Sequence, residues 1–474
     1  MKNAERGGGM QGVVETADQV RAGSQTAVAR VEAALDAIAA HNAALLAFVR
    51  VDAEDALRQA ADIDDKIRRG EDPGPMAGVP IGVKDMEDCC GFPVTQGSWF
   101  LRNAPPATED SRHIARMRAA GAVIVGMTAS AEFGMDSATN TKLYGVTRNP
   151  WNLETTPGGS SGGSSAAVAA GLVPLATGTD AGGSIREPAA FTSIVGLKPS
   201  HGRIPKANGF SNWAVHGALV RSIADAARHL DVTAGPHDGD RQSLPAVGFR
   251  YEDILDRLDV RGLRAVWSSD YGYAAVEREV VDVARAAFET LVDAAGLVEV
   301  AADFRPVNIY PHFGAIFGST LEEDFIREGY LPDGYDMMSD CVRRLLDKVR
   351  ARRATIDVKA SWAEVHRLEQ QVAAFFSDHD LLISPATSCR PYAADGAPPR
   401  EIEGRDASQG GAEPFGMLAN ACWNPSLCIP AGFTEDGLPV GLQLVARRHR
   451  DDQLLRLGRL FEQAQPWPSP PTFS

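Results

Sequence analysis

The sequence has little of what marks several protein classes. Its 474 residues include only six cysteines, and no two of them are spaced as C-x-x-C, so we expect neither a disulfide framework nor a thiolate zinc site. Aromatic residues make up 7%, and no apolar run approaches the roughly 18 residues of a membrane-spanning helix. The opening residues, Met1 to Gly9, lack the apolar centre of a signal peptide. These absences predict a cytoplasmic protein without a membrane anchor.

Positive charge is also scarce. Lysine and arginine total 47 against 62 acidic residues, which gives a net charge of −15. This balance argues against a broad phosphate-binding face, so we expect no nucleic-acid partner. The hydrophobic fraction of 44% and the charged fraction of 23% are close to globular averages, and the length is ample for a large core.

Hydrophobic periodicity predicts short buried strands that alternate with helices. Such a pattern is typical of an α/β protein whose parallel or mixed sheet is covered on both faces. No internal repeat and no sharp change of composition divides the chain. The clearest predicted helices cover 24–38 (capped by Ser24), 53–67, 111–120, 276–294, 310–359 and 452–463, and the clearest strands cover 122–126, 172–176, 193–197, 264–267, 381–384 and 439–445.

Two stretches place serines among glycines, at 158–165 and 178–186. Glycine lets the backbone approach a substrate and frees N–H groups to point at one atom. Apolar segments bound both stretches, which disfavours flexible linkers. The G-x-S-x-G pattern within the first stretch lacks the preceding strand of a nucleophile elbow, and neither a phosphate loop nor a dinucleotide fingerprint fits.

A lysine offers a base for a serine nucleophile. Lys84 lies inside the apolar run 78–86, where burial would lower the pKa of its amine toward neutrality. The alternative, a lysine whose head reaches water or pairs with Asp85, is equally compatible with the pattern. No histidine stands in a recognisable catalytic context, and His201 is a minor candidate because it lies near the serines in sequence.

Together these motifs resemble the amidase signature family. The resemblance rests on Gly-Val-Lys-Asp at 82–85, the two serine stretches, Gly-Leu-Lys-Pro at 196–199 and the late Gly-Leu-Pro-Val-Gly-Leu-Gln at 437–443, and it extends from about residue 16 to residue 461. It implies a single α/β/α unit over 1–474, with a central mixed, mostly parallel β-sheet covered by helices. Within it we expect an N-terminal helical region (1–75), a core with the catalytic triad (76–235) and a C-terminal part with a helical pocket-forming insertion and the final strands (236–474).

The resemblance also implies roles for individual residues. Ser184 would be the nucleophile, Ser160 the bridging serine and Lys84 the base. Glu132 falls where the family often has an acid, although an ordinary polar residue is the alternative. Further residues would build or support the site: the backbone N–H groups of Ala181, Gly182, Gly183 and Ser184 as an oxyanion hole, Gly159 on a cis peptide before Ser160, Ser161 in the turn, and Asp180 paired with Arg186.

The implied activity is hydrolysis of the C–N bond in small or aryl carboxylic amides through an acyl-enzyme, with anilides, esters and carbamates (urethanes) as possible extensions. It needs no metal and no cofactor, and the enzyme would act as a monomer or homo-oligomer. Two other functions stay open: the glutamine-hydrolysing subunit of a tRNA-dependent amidotransferase, and a non-catalytic binding protein. Four aromatic residues could line the substrate pocket, with ordinary core packing as the alternative: Phe313, Phe317, Phe415 and Trp423.

Overall fold

The computed structural model describes residues 11–206, 212–352 and 355–468. Residues 1–9, on which the expectation about a signal peptide rests, lie outside this part of the chain, as do two residues of the predicted helical segment 310–359. The α-helices are α1 (Val13–Arg21), α2 (Ala27–Leu45), α3 (Ala53–Arg68), α4 (Arg112–Ala119), α5 (Gly162–Ala169), α6 (Arg186–Thr192), α7 (Ile223–Thr233), α8 (Tyr251–Ile254), α9 (Arg278–Ala295), α10 (Tyr310–Gly318), α11 (Leu321–Arg327), α12 (Asp340–Arg352), α13 (Val358–Asp378), α14 (Gly416–Ala421) and α15 (Asp451–Ala464). The strands are β1 (Phe48–Val51), β2 (Pro80–Lys84), β3 (Val123–Thr128), β4 (Asn140–Thr141), β5 (Gly145–Val146), β6 (Leu175–Asp180), β7 (Val195–Lys198), β8 (Val215–Val220), β9 (Arg264–Trp267), β10 (Val298–Glu299), β11 (Leu381–Pro385), β12 (Glu401–Ile402), β13 (Arg405–Asp406), β14 (Ser426–Phe433) and β15 (Pro439–Ala446).

Eleven strands form one central sheet in the order β1-β3-β2-β6-β8-β7-β14-β15-β11-β9-β10. Helices cover it, which confirms the predicted α/β architecture with a mixed sheet. The expectation of a mostly parallel sheet is wrong, because four of the neighbouring pairs are parallel and six are antiparallel. Two of the antiparallel pairs, β7–β8 and β14–β15, join strands that are consecutive along the chain.

Most predicted segments agree with the structure to within a few residues. Helices α3, α4, α9 and α15 and strands β9, β11 and β15 match their patterns. The cap of α2 differs: Thr26, not Ser24, accepts a hydrogen bond from the Ala29 N–H. The predicted helical stretch from residue 310 is divided into α10, α11 and α12 and runs into α13. The segment 395–411 contains the small β12–β13 hairpin.

The sheet positions the candidate site at the ends of its central strands. Strand β2 lies between β3 and β6, and all five of its residues are buried. Helix α5 starts within the first serine stretch, and the second serine stretch leads from β6 into α6. The two serine stretches and the lysine are therefore carried by neighbouring elements of the sheet. Among the described residues, no helix is both long and apolar enough to cross a membrane.

Candidate active site

Lys84 lies at the end of β2 and its side chain is fully buried. Its backbone N–H donates to Thr177 Oγ1 at 2.9 Å, which fixes the end of the strand against β6. Its amine nitrogen Nζ lies 2.7 Å from Ser160 Oγ and 2.9 Å from Thr179 Oγ1. The amine therefore faces two hydroxyl groups, and the alternative of a lysine head that reaches water is wrong.

Burial sets the protonation of this lysine. Desolvation lowers the pKa of the Lys84 ammonium from its ordinary 10.5 to about 7, against the opposing attraction of Glu87 and Asp180. No carboxylate forms a salt bridge with the amine within the described residues. A large fraction of the molecules therefore holds a neutral amine near pH 7, in contact with a serine hydroxyl that it could deprotonate.

Ser160 lies in the turn that precedes α5. The Gly159–Ser160 peptide is cis, and the Ser160 carbonyl accepts a hydrogen bond from the Ala131 N–H at 3.1 Å. The turn is closely packed, since a side chain at Gly159 would meet the Asp136 carbonyl oxygen at 2.4 Å. Ser161 supports the turn weakly, with its hydroxyl 3.5 Å from the Thr179 carbonyl.

Ser184 lies in the loop between β6 and α6, and Asp180 shapes this loop. The Asp180 carboxylate accepts hydrogen bonds from the N–H groups of Gly183 (3.0 Å) and Ile185 (3.1 Å). Arg186 donates to both carboxylate oxygens, at 3.0 and 2.8 Å, and both side chains are buried. Burial raises the pKa of Asp180, but the Arg186 charge outweighs it and holds that pKa at about 2. The structure thus contains the expected Asp180–Arg186 pair, in a supporting position.

The loop leaves three of the four expected oxyanion donors available. The N–H groups of Ala181, Gly182 and Ser184 have no hydrogen-bond partner in the described part of the chain. The Gly183 N–H differs because it is bonded to Asp180. The structure therefore narrows the candidate hole from four donors to three, since one N–H already satisfies the carboxylate that shapes the loop.

Ser184 itself is partly exposed, and its hydroxyl forms no hydrogen bond with another described residue. The first serine turn packs on the helix that Ser184 precedes, because a side chain at Gly158 would meet the Pro188 Cα at 2.9 Å. The structure therefore joins Lys84 and Ser160 directly. It places Ser184 on the adjoining loop, with its oxygen unbound and open to a substrate.

Two carboxyl groups lie behind this loop, and sequence patterns did not reveal them. Glu413 Oε2 would lie 2.4 Å from a side-chain carbon at Gly183, whose φ of +143° also favours glycine. Glu187 is 1% exposed, and neither of its carboxylate oxygens has a hydrogen-bond partner among the described residues. Burial and mutual repulsion raise the pKa of Glu187, while burial and the charge of Asp180 raise that of Glu413. These raised pKa values favour the protonated, uncharged forms of the two groups.

The four aromatic residues predicted to line the substrate pocket do not lie together. Phe313 and Phe317 pack on Trp213, with ring centroids at 5.6 and 5.2 Å. Phe415 is a wrong prediction, because its ring is fully buried against Tyr271 in the core. Trp423 stacks on His201 at 4.3 Å and lines a different cavity, which none of the three candidate catalytic residues lines.

Two other candidates, Glu132 and His201, take part in hydrogen bonds away from the three candidate catalytic residues. Glu132 is buried, and its carboxylate accepts hydrogen bonds from Ser98 Oγ and the Ser339 N–H, so it ties two loops together. His201 is 3.0 Å from Gln242 Oε1 through Nε2. Sequence reasoning missed the residues that hold Arg186 in place, Asn420 and Gln443, because they come from α14 and β15, far along the chain.

Comparison with known proteins finds relatives that match nearly the whole chain. The family model described as "Amidase" matches residues 29–455. An acylamidase of Rhodococcus erythropolis is 35% identical over 453 residues, which cover 92% of this chain and 91% of the relative. One of the subunits of the glutamyl-tRNA(Gln) amidotransferase of Synechococcus sp. (strain RCC307) is 34% identical over 477 residues, covering 94% and 96%. Among solved structures, a bacterial aryl acylamidase of the amidase signature family superposes with a TM-score of 0.89 at 28% identity, covering 97% of each chain.

These matches extend over nearly the whole chain, and the match to the solved structure agrees with the fold. The chain belongs to the amidase signature family of hydrolases.

Proposed function

We propose that this hydrolase is an acylamidase that cleaves small or aryl carboxylic amides through a Ser184 acyl-enzyme. The observation that carries the proposal is the fully buried Lys84 amine, 2.7 Å from Ser160 Oγ, next to a loop that bears a free serine and unpaired N–H groups. A neutral amine in that position can act as a base, and the adjoining serines could pass a proton to it from Ser184 through Ser160.

The chemistry follows from these contacts. Neutral Lys84 takes a proton from Ser160, which takes one from Ser184 as the Ser184 oxygen attacks the carbonyl carbon. Ser160 then returns a proton to the leaving nitrogen as the C–N bond breaks, which leaves an ester on Ser184. Water gives a proton to the same path and attacks the ester, which releases the acid and restores the three groups.

The N–H groups of Ala181, Gly182 and Ser184 would stabilise the oxyanion formed at each attack. Removing one such donor costs about 3 kcal/mol in other hydrolases. Thr179, which contacts the Lys84 amine at 2.9 Å, would hold that amine toward Ser160. The carboxyl pair behind Gly183 supports this assignment only in its protonated form, since a full negative charge there would oppose an oxyanion.

The preference for aryl and alkyl acyl groups rests on two supports. Trp213, Phe313 and Phe317 form an aromatic cluster, and the Trp213 carbonyl accepts a hydrogen bond from Asn420, which also bonds the Asp180 carbonyl. The relatives described as acylamidase and aryl acylamidase support the same substrate class. Esters and carbamates remain within the proposal because the same attack applies to their carbonyl groups.

The test is a panel of anilide, primary amide, ester and carbamate substrates with one acyl group in common. We expect the wild type to hydrolyse the anilide and the ester, and Ser184→Ala to hydrolyse none above background. Exposed Ser377→Ala, on α13, is the matched control and should retain the wild-type rates. Equal rates for wild type and Ser184→Ala would contradict the proposal.

A second candidate is the glutamine-hydrolysing subunit of an amidotransferase, favoured by the 34% identity to one of the subunits of such an enzyme. The two functions differ in what the isolated chain does. An acylamidase would hydrolyse the anilide without a partner protein and would not hydrolyse glutamine, whereas the amidotransferase component would release ammonia from glutamine. Measuring both rates on the purified chain separates them.

A further inference from the structure

Three side chains from separate elements meet beside the candidate active site without taking part in it. We call Glu87, His113 and His216 the Glu–His cluster; Glu87 follows β2, His113 lies in α4 and His216 in β8. Glu87 Oε2 lies 2.9 Å from His113 Nδ1 and 3.0 Å from His216 Nδ1. One ligand atom from each residue lies within 4.8 Å of the other two, so one ion could contact all three.

The cluster is largely buried, and its polar atoms are not all satisfied. Glu87 is 2% exposed and His113 is fully buried, while the His216 side chain is 13% exposed. Glu87 Oε1 is buried and has no hydrogen-bond partner among the described residues. His216 Nδ1 also lacks one, because its contact with Glu87 Oε2 is close but outside hydrogen-bond geometry. An unpaired buried polar atom is unfavourable, and a bound ion would satisfy both of these atoms at one point.

The donor set matches a particular kind of ion. Two imidazole nitrogens and one carboxylate are ligands that zinc and similar divalent transition metals prefer, and three protein ligands leave a position open. Hard cations such as Mg²⁺ and Ca²⁺ favour oxygen ligands instead. The ligands come from a helix, a strand and the turn after a strand, so the sheet holds them in place.

His113 also has an outer hydrogen-bond partner, a histidine, at the ring nitrogen where metal-binding histidines usually contact a carboxylate, a carbonyl or water. Its second ring nitrogen, Nε2, lies 2.7 Å from Nε2 of buried His229. With Nδ1 directed at an ion, the Nε2–H of His113 would donate to His229, which fixes the tautomer and the ring orientation. His229 would thus orient a ligand without being one itself.

We propose that the Glu–His cluster binds one divalent transition metal ion, with zinc as the best match to its ligands. The ion would tie the turn after Lys84 to α4 and β8, since the Glu87 N–H donates to the Lys84 carbonyl at 3.0 Å. The cluster shares no side chain with Lys84, Ser160 or Ser184. The proposal therefore revises the sequence-based expectation of no metal, and its test does not depend on the amidase activity.

The experiment measures metal binding by the full-length protein directly. Protein stripped with a chelator and dialysed is titrated with Zn²⁺ against a chromophoric competitor, and in parallel with Co²⁺ while its visible absorption is recorded. We expect one ion per chain, a Co²⁺ ligand-field band that saturates at one equivalent, and a rise in melting temperature of about 2–4 °C with Zn²⁺. Failure to bind either ion at about 100 µM, far above the dissociation constants of built zinc sites, overturns the proposal.

Variants then locate the ion. His216→Ala alters the partly exposed ligand and Glu87→Gln keeps the side-chain shape, and each should weaken Zn²⁺ binding at least about 100-fold. His229→Ala should weaken it about 10–100-fold without abolishing it. Exposed His366→Ala is the matched control and should bind as the wild type does. Unchanged binding in both His216→Ala and Glu87→Gln would place the ion elsewhere and contradict the assignment.

If these variants do not fold, a spectroscopic measurement on the wild-type protein tests the cluster instead. Cu²⁺ bound to the wild-type protein reports the number of coordinated imidazoles through electron spin-echo modulation. Two imidazoles agree with the cluster, and none or one overturns it. A cluster held only by hydrogen bonds among Glu87 and the histidines would bind neither Zn²⁺ nor Cu²⁺ stoichiometrically.

Discussion

Replacing Lys84 with methionine isolates the cost of burying its amine. The pKa of this group is about 7 in the folded protein and about 10.5 when exposed in the unfolded chain. Between these values the unfolded chain binds the proton and the folded protein does not, so wild-type stability falls as the pH falls from 10.5 to 7. Below pH 7 both the folded and the unfolded state bind the proton, so the stability does not fall further through this group.

The magnitude follows from about 1.4 kcal/mol for each pH unit in that window. From pH 10 to pH 7 the wild type should lose about 3–4 kcal/mol relative to Lys84→Met, which has no charge to bury. In Lys84→Met, the lost contacts to Ser160 and Thr179 lower the free energy of unfolding by about 1 kcal/mol each, and this loss does not depend on pH.

The assay is urea denaturation of both proteins at several pH values, with Lys359→Met as an exposed control that should show no such trend. The free energy of unfolding of Lys84→Met, less that of the wild type, should increase by about 3–4 kcal/mol from pH 10 to pH 7. A difference that stays constant with pH would refute the inference that burial keeps this amine neutral.

Three further predictions test the site. The kcat/KM of the wild type on an anilide should fall about tenfold per pH unit below 7 as Lys84 gains a proton, and a kcat/KM that does not change from pH 5 to pH 8 would contradict a lysine base. Asp180→Asn should reduce the free energy of unfolding by about 3–5 kcal/mol, because Arg186 loses its buried partner; a loss below about 1 kcal/mol in denaturant would contradict this. Gly183→Ala should lower kcat at least about tenfold, because its methyl group would collide with Glu413, whereas Gly404→Ala, also at positive φ but in open space, should leave kcat unchanged.

Local patterns predict the longer helices and several strands of the central sheet well, and two of the strands that they miss have clear physical causes. Strand β14 escapes prediction because Pro430 and Gly432 interrupt its apolar run, where the pairing with β15 also shifts register. Strand β8 escapes it because it carries His216 and Gly217 in its interior. The direction of strand pairing depends on long-range return of the chain, which no local pattern contains.

The candidate site is predictable where residue type and family resemblance determine it. Lys84 and Ser160 stand out in the sequence, and their contact agrees with the roles proposed for them. Glu413 and Asn420 do not, and Gln443 stands out only as the end of a family motif without an assigned role, because only the folded sheet brings these residues to the Ser184 loop. The prediction for Phe415 is wrong for a related reason, since an aromatic residue in a core and one in a pocket wall have the same sequence pattern.

The most direct test of the proposed mechanism is to identify the atom that becomes acylated. Protein treated with a fluorophosphonate, digested and analysed by tandem mass spectrometry should carry one adduct, on Ser184, with labelling that parallels the loss of anilide hydrolysis. An adduct on Ser160 or another residue, or full hydrolysis by protein labelled completely at Ser184, would contradict the assignment of Ser184 as the nucleophile.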